Sequence, residues 1–325
     1  MSFKVDIFIP TSKDTHVLKK CLKSLNVQSV KNFTIILIGL NKDPAIEKLI
    51  SRFNNLKINY FIQQKKGLVE AANEALIKSN GDIFIRVDDD VTVTKNWLKN
   101  ILITFNKESK IGGVTGPTLV NEKVLNSRDS LNFILRFKNS NNPFSKLLNY
   151  VYETYLYENK MFEVGKFLRS GNFSIGANFS TCLKIKSQEV ENFEACNFAC
   201  KTSLIKRLGG FDETFAKGLG DYHEADMACK IRKSGYKIIF NPQAIVHHHI
   251  EAGGKIKSRP DSYNRIKNFI IFYRRHMKIS SFDTLLRFSI NVILQNGYYL
   301  YKFLTTGNIS NLGSIPGTIT GLLGI

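Results

Sequence analysis

A mostly parallel α/β sheet flanked by helices is the architecture this chain predicts, and three observations point to it. Short β-branched and aromatic runs alternate with apolar-faced helical segments through the first 120 residues. The fourth such run, Gly81-Asp-Ile-Phe-Ile-Arg-Val-Asp-Asp-Asp-Val, carries an apolar strand into three consecutive carboxylates, Asp88, Asp89 and Asp90. The strand ends carry no direct phosphate cradle, since neither Gly-x-Gly-x-x-Gly after the first strand nor Gly-x-x-x-x-Gly-Lys occurs. Any phosphate at the sheet edge, where ligands of such sheets collect, must therefore be met through a metal.

Val5 to Pro10 reads as the first strand, and Asp14 can cap a helix with Val17, Leu18, Cys21, Leu22 and Leu25 on one face. Phe33 to Leu40 is apolar enough to be buried on both faces, and Pro44 suits the first position of a helix through Ile46, Leu49 and Ile50. Ile58 to Ile62 is a third strand; Gly67 precedes a helix with Ala71, Ala72, Ala75 and Leu76 inward. After the acidic strand, Trp97, Leu98, Ile101 and Phe105 mark a helix, and Ile111 to Val120 reads as one strand. Residues 121–192 lose the alternation and read as an insertion, partly helical from about Phe144 to Met161, whose Tyr150, Tyr152, Tyr155 and Tyr157 suit packing rather than a ligand platform, the alternative they leave open. Beyond it, a helix from Ala225 to Ser234 is followed by extended segments at Tyr236–Phe240 and Ala244–Val246, and then by His247, His248 and His249.

Side chains alternate along a strand, so Asp88 and Asp90 share a side if the extended backbone persists past Val87. Two such carboxylates repel, and a hard divalent cation, Mg2+ or Mn2+, relieves the repulsion while sharing its oxygen ligands with phosphate. Glu224 and Asp226 fall at a helix mouth, where the dipole favours their ionised form, so they are either caps or a base for an acceptor hydroxyl. One of the three histidines could reach inward as a metal ligand, or all three could form a polar turn.

The ordered set of these pieces resembles glycosyltransferase family 2, which has the GT-A fold. The resemblance rests on Ile9-Pro10-Thr11, Gln28, Gly67 with Asn73, Val87-Asp88-Asp89-Asp90 with Trp97, and Leu208-Gly-Gly-Phe-Asp-Glu213. It continues through Glu224-x-Asp226 with Arg232, Gly235-Tyr236, and Pro242-x-Ala244-x-Val246-x-His248. It implies an inverting enzyme that takes a sugar from a nucleotide-diphosphate donor to a hydroxyl of a glycan or lipid-linked acceptor. It places Asp88 at the ribose with Asp89 beside it, Asp90 and His248 at the metal, and Pro10 and Thr11 beneath the nucleoside. Lys66 and Gly67 fall near the base of the nucleotide, and Glu224 takes the acceptor proton, a role Asp226 or Asp221 could also fill. Two positions depart from the family pattern: Ile38-Gly-Leu-Asn41 stands where an Asp usually reads the base, and His223 precedes Glu224 where a Glu is usual.

The net charge of +19 calls for an anionic partner: phosphorylated substrate, anionic membrane or nucleic acid. Five scattered cysteines argue for a reducing compartment, and a strand close behind the N-terminus argues against a signal peptide, so a cytoplasmic location is expected. No apolar run reaches the roughly 20 residues a membrane span needs. Phe282 to Leu304 is apolar but interrupted by Arg287, Asn291, Gln295 and Lys302, which suits either a helix at the inner membrane surface or one packed on the domain. The expected organisation is a nucleotide-sugar half at 1–120, the insertion at 121–192 on the acceptor side, a catalytic half at 193–278 and an amphipathic tail at 279–325.

Two other functions compete. A haloacid dehalogenase-like phosphatase would use Asp88-x-Asp90-x-Thr92, but that motif belongs on the first strand of its sheet. A basic nucleic-acid-binding module fits the charge but lacks any recognition helix, aromatic pair or zinc finger, so no nucleic acid is expected.

Overall fold

In the computed structural model, residues 3–11, 15–121, 142–249 and 261–324 are described. The chain divides into two compact units, one from 1–120, 177–216 and 223–249, the other from 121–176, 217–222 and 250–325. The segment expected as a single insertion is thus divided after residue 176, with 177–192 in the first unit.

The first unit is built on strand-helix repeats. Strands β1 (Val5–Thr11), β2 (Phe33–Gly39), β3 (Lys57–Ile62) and β4 (Ile83–Val87) alternate with helices α1 (Thr15–Asn26), α2 (Pro44–Ile50) and α3 (Leu68–Lys78). Helix α4 (Trp97–Phe105) leads to β6 (Ile111–Thr115), after the short β5 (Val91–Val93). The later segments add β8 (Gln188–Val190), β9 (Asn197–Lys201) and β10 (Lys237–Phe240). Together they form a sheet in the order β3-β2-β1-β4-β9-β6-β10-β8. Its strands run parallel except β9, which is antiparallel to β4 and β6, and β8, antiparallel to β10.

The core follows from the pattern that predicted it. Ile7, Ile9, Ile35, Leu37 and Ile85 from the strands meet Leu18, Leu22, Leu25, Trp97 and Leu98 from the helices, all essentially without solvent contact. Each such side chain stabilises the fold by roughly 1.5–3 kcal/mol through burial. Trp97 keeps its one polar atom satisfied by donating from Nε1 to Asn197 Oδ1 at 2.9 Å.

The run expected as a single strand from 111 to 120 is broken. β6 ends at Thr115, and β7 (Thr118–Val120) belongs to a second, three-stranded sheet with β5 and β11 (Val246–His248). Gly116 and Pro117 make the break: a Cβ on Gly116 would stand 2.3 Å from the carbonyl oxygen of Ala244, so only glycine allows this approach. The other late elements of this unit are α6 (Thr202–Arg207) and α7 (His223–Lys233), the latter starting two residues earlier than its apolar pattern suggests.

In the second unit, α5 (Pro143–Asn149) runs on into a π-helical turn at Tyr150–Leu156. Of the tyrosine stripe, Tyr152, Tyr155 and Tyr157 pack around Leu156, Met161 and Leu168, whereas Tyr150 is exposed. Helices α8 (Ser262–His276), α9 (Phe282–Thr306) and α10 (Ser314–Leu323) form the rest. The rings of Tyr273 and Phe288 stack at 3.9 Å between α8 and α9. Among the described residues no helix is long and apolar enough to cross a membrane.

Candidate active site

The acidic strand end does not continue extended. β4 stops at Val87 and the chain turns at Asp89 and Asp90 before β5, and the two outer carboxylates take different partners. Asp90 is brought to His248 by the small sheet, in which β11 pairs antiparallel with β5 and sets His248 opposite Val91. His248 Nε2 lies 3.2 Å from Asp90 Oδ2, and the backbone N–H of His249 donates to the Asp90 carbonyl at 2.9 Å. The other imidazole nitrogen, Nδ1, faces Cys196 Sγ at 3.9 Å. Burial disfavours a charged His248, but Cys196 and Asp90 outweigh it and raise its proton affinity.

Whether this pair fits a divalent cation can be read from its free valence. Asp90 Oδ1 is shielded from solvent and has no hydrogen-bond partner among the described residues. Such an orphaned carboxylate oxygen beside an imidazole suits Mn2+, which accepts both donor types. Among the described residues no group of three or more His, Cys, Asp or Glu side chains is arranged to hold a metal alone. Asp90 and His248 could supply only part of a coordination shell, the remainder coming from substrate and water, as is usual for ions shared with phosphates.

Asp88 joins a file of polar groups reaching α7. Arg86 Nε and Nη2 donate to Asp88 Oδ1 at 3.2 and 3.0 Å, and Arg86 Nη1 lies 2.8 Å from His223 Nε2. A guanidinium can only donate, so Nε2 accepts and the imidazole proton sits on Nδ1. Nδ1 lies 2.9 Å from Glu224 Oε2, a close electrostatic contact, while that buried oxygen has no hydrogen-bond partner among the described residues. Burial opposes a charge on Glu224, but His223 and then Arg86 more than offset it, so the carboxyl stays ionised well below its ordinary range. Burial likewise opposes the Arg86 charge, and Asp88 and Glu224 prevail against it. Tyr222, just before this helix, holds a left-handed φ of 79°, a strained conformation of the kind concentrated at functional sites.

The remaining expected site residues are placed as follows. Thr11 ends β1 in register with Gly39 of β2, and its buried Oγ1 has no hydrogen-bond partner among the described residues. Pro10 precedes it, half-buried. Gly39, where the family pattern would lead into an acidic residue, is covered by Tyr60, whose hydroxyl donates to the Asn41 carbonyl at 3.1 Å. Gly67 is the N-cap of α3 and accepts at its carbonyl from the Gln63 side chain, while Lys66 beside it is exposed. Asp89 is half-buried in the turn. Asp226 is buried in α7, with Oδ2 2.7 Å from Lys230 Nζ one turn along, so its charge is already engaged within its own helix.

Sequence reasoning missed Arg86 and the part played by His223. A signal existed: Arg86 is the one charged residue in an otherwise apolar, fully buried strand, and a buried guanidinium requires an acidic partner. Cys196 beside His248 had no comparable signal, being one of five scattered cysteines.

The family described as glycosyl transferase family 2 matches residues 6–166. A probable glycosyltransferase of Bacillus subtilis, YdaM, is 23% identical over 91% of this chain and 66% of its own length. A dolichyl-phosphate-linked sugar transferase of Methanococcus voltae, named as a diacetamido-dideoxy-glucuronosyltransferase, is 29% identical over 34% of this chain and 38% of its own. The match therefore spans less than two thirds of either relative. Among solved structures, the Pyrobaculum calidifontis mannosyltransferase PcManGT with GDP-Man and Mn2+ superposes over 100% of this chain and 88% of its own with a TM-score of 0.57 at 14% identity. S. aureus TarS 1-349 with UDP-GlcNAc does so over 98% and 79%, with a TM-score of 0.58 at 14% identity.

Proposed function

Since the chain belongs to glycosyl transferase family 2 and has the GT-A fold, we propose that it is an inverting, metal-assisted glycosyltransferase with Glu224 as its base. The donor is a nucleotide-diphosphate sugar and the acceptor a hydroxyl of a glycan or a lipid-linked chain. A lipid-linked acceptor would be met at the inner face of the cell membrane. The observation that carries this reading is the file Asp88–Arg86–His223–Glu224, which ties a strand-end carboxylate to an ionised carboxylate at a helix start.

In the proposed reaction the acceptor oxygen attacks the anomeric carbon while the bond from that carbon to the diphosphate oxygen breaks. The acceptor proton passes to Glu224 and the nucleoside diphosphate leaves with the electron pair. One displacement with one base inverts the anomeric centre, and among the described residues no second carboxylate is assigned as a covalent nucleophile. Asp90 and His248 would hold the cation, Mn2+ or Mg2+, which when bound supplies positive charge for the departing diphosphate. Asp88 has Oδ2 available for the ribose while Oδ1 stays on Arg86. Thr11 and Pro10 would form the floor beneath the nucleoside, with Asp89, Lys66 and Gly67 at its margin. His223, with Nδ1 2.9 Å from Glu224 Oε2, helps keep that carboxyl deprotonated.

Calorimetry of nucleotide-sugar binding with Mn2+, run beside a transfer assay, tests the assignment. Asp90→Ala should abolish both metal-dependent binding and turnover, whereas Glu224→Gln should abolish turnover and leave donor affinity within about threefold, less than the 1.4 kcal/mol of a tenfold change. Substantial turnover by the Glu224→Gln enzyme would remove the base from this scheme.

A further inference from the structure

Helices α9 and α10 each present a stripe of large apolar side chains to the outside, and we propose that this face seats the protein on an anionic lipid bilayer. The proposal stands on the second unit alone and does not depend on the transferase reading.

On α9, Phe282, Leu286, Ile293, Leu300 and Leu304 are exposed, between 40% and 78%. At 3.6 residues per turn these five fall within about 40° of one another around the helix axis. The buried residues Thr284, Phe288, Asn291 and Tyr299 occupy the opposite side. No charge lies on the stripe. Asp283 and Arg287 sit on a flank and pair with each other at 2.8 Å, and Arg169 also reaches Asp283 at 2.9 Å.

The inversion is sharper on α10. Its inward face is Ser314, Gly317 and Gly321, while Ile315, Ile319, Leu322 and Leu323 are all at least half exposed. The glycines are needed for the close approach to α8: a Cβ on Gly317 would stand 2.4 Å from the Tyr263 carbonyl, and one on Gly321 2.9 Å from Ile270. A helix that packs by its smallest residues and presents its largest apolar ones outward is not adapted to water.

Charge selects the occupant. Residues 303–325 contain no Asp, Glu, Lys or Arg. Just ahead of the stripe, Arg274, Arg275 and Lys278 are exposed at the end of α8, beside the exposed Ile279 and Phe282 in sequence. Apolar side chains bordered by basic ones match the acyl and headgroup layers of an anionic membrane. A second copy of a +19 chain would instead bring like charges together. α10 has ten residues, too few to span, so the helices would lie along the surface.

The test is cosedimentation of the full chain with vesicles of phosphatidylglycerol and phosphatidylcholine in equal parts, and with phosphatidylcholine alone. The wild type should bind the anionic vesicles at least tenfold more strongly, with the difference shrinking as salt rises. Ile293→Glu combined with Ile319→Glu should lose at least tenfold in binding with unchanged melting temperature. The Arg275→Gln, Lys278→Gln protein should lose the preference for phosphatidylglycerol. Failure of the wild type to bind anionic vesicles overturns the proposal whatever the variants do, as does full binding by the glutamate variant. A concentration-dependent dimer that ignores vesicles and is abolished by the same glutamates would assign the face to a second copy instead.

Discussion

Helix α1 and helix α10 are built from similar shares of apolar residues and use them in opposite ways. α1 buries Val17, Leu18, Cys21, Leu22 and Leu25 and shows Lys19, Lys20 and Lys23 to solvent. α10 buries serine and glycine and shows isoleucine and leucine. The first pattern belongs to a helix whose outer environment is water. The second shows that apolar periodicity alone identifies a face without saying whether that face meets the protein or something else.

The largest expected effect separates these two faces directly. Leu22→Glu would bury a carboxylate with no partner, and the first unit should fail to fold or lose several kcal/mol, whereas Ile319→Glu should leave thermal melting unchanged within about 0.5 kcal/mol. Equal losses from both would erase the distinction.

Arg86→Leu probes the polar counterpart of the α1 core. Stranding Asp88 and Glu224 in a buried site should cost about 3–5 kcal/mol in a denaturant titration. It should also move the acid limb of turnover. In the wild type Glu224 is lowered from 4.5 to about 2, so its contribution to stability is complete above 4.5 and fades as pH falls toward 2. Without the guanidinium that window shifts upward, and a pH profile identical to wild type would show that Arg86 does not act on Glu224.

Two glycines sharpen the comparison within the last helices. Gly317→Ala should destabilise the second unit by about 1–3 kcal/mol through overpacking. Gly297→Ala, on the outer side of α9 with nothing within 4 Å of the added Cβ, should stabilise it by about 1 kcal/mol in thermal melts. A destabilised Gly297→Ala protein would mean that the stripe is already covered by protein.

The strand-helix repeats were legible because each helix in the first unit has one wet face and one dry face. The order of strands beyond β4 was not, since β9 enters from a segment about 110 residues downstream and nothing in Asn197–Lys201 marks it as antiparallel. Gly116-Pro117 could have been read as a break between two strands, because proline cannot donate within a sheet interior. At the site, Asp90 and His248 were legible as residue types suited to a cation. The turn at Asp89 and Asp90 was hidden, because three consecutive carboxylates carry no mark of where the extended backbone ends. The Arg86–His223 contact joins residues 137 apart and could be seen only once the sheet had closed.

Asp90 and His248 stand 158 residues apart in the chain and meet only because β11 docks on β5. During synthesis the chain would expose most of its sheet before that last strand emerges, so on the proposed assignment an unfinished chain lacks one of the two residues at the cation. A chain cut just short of β11 would lose this pair together with the central strand of the small sheet and residues 250–325 of the second unit.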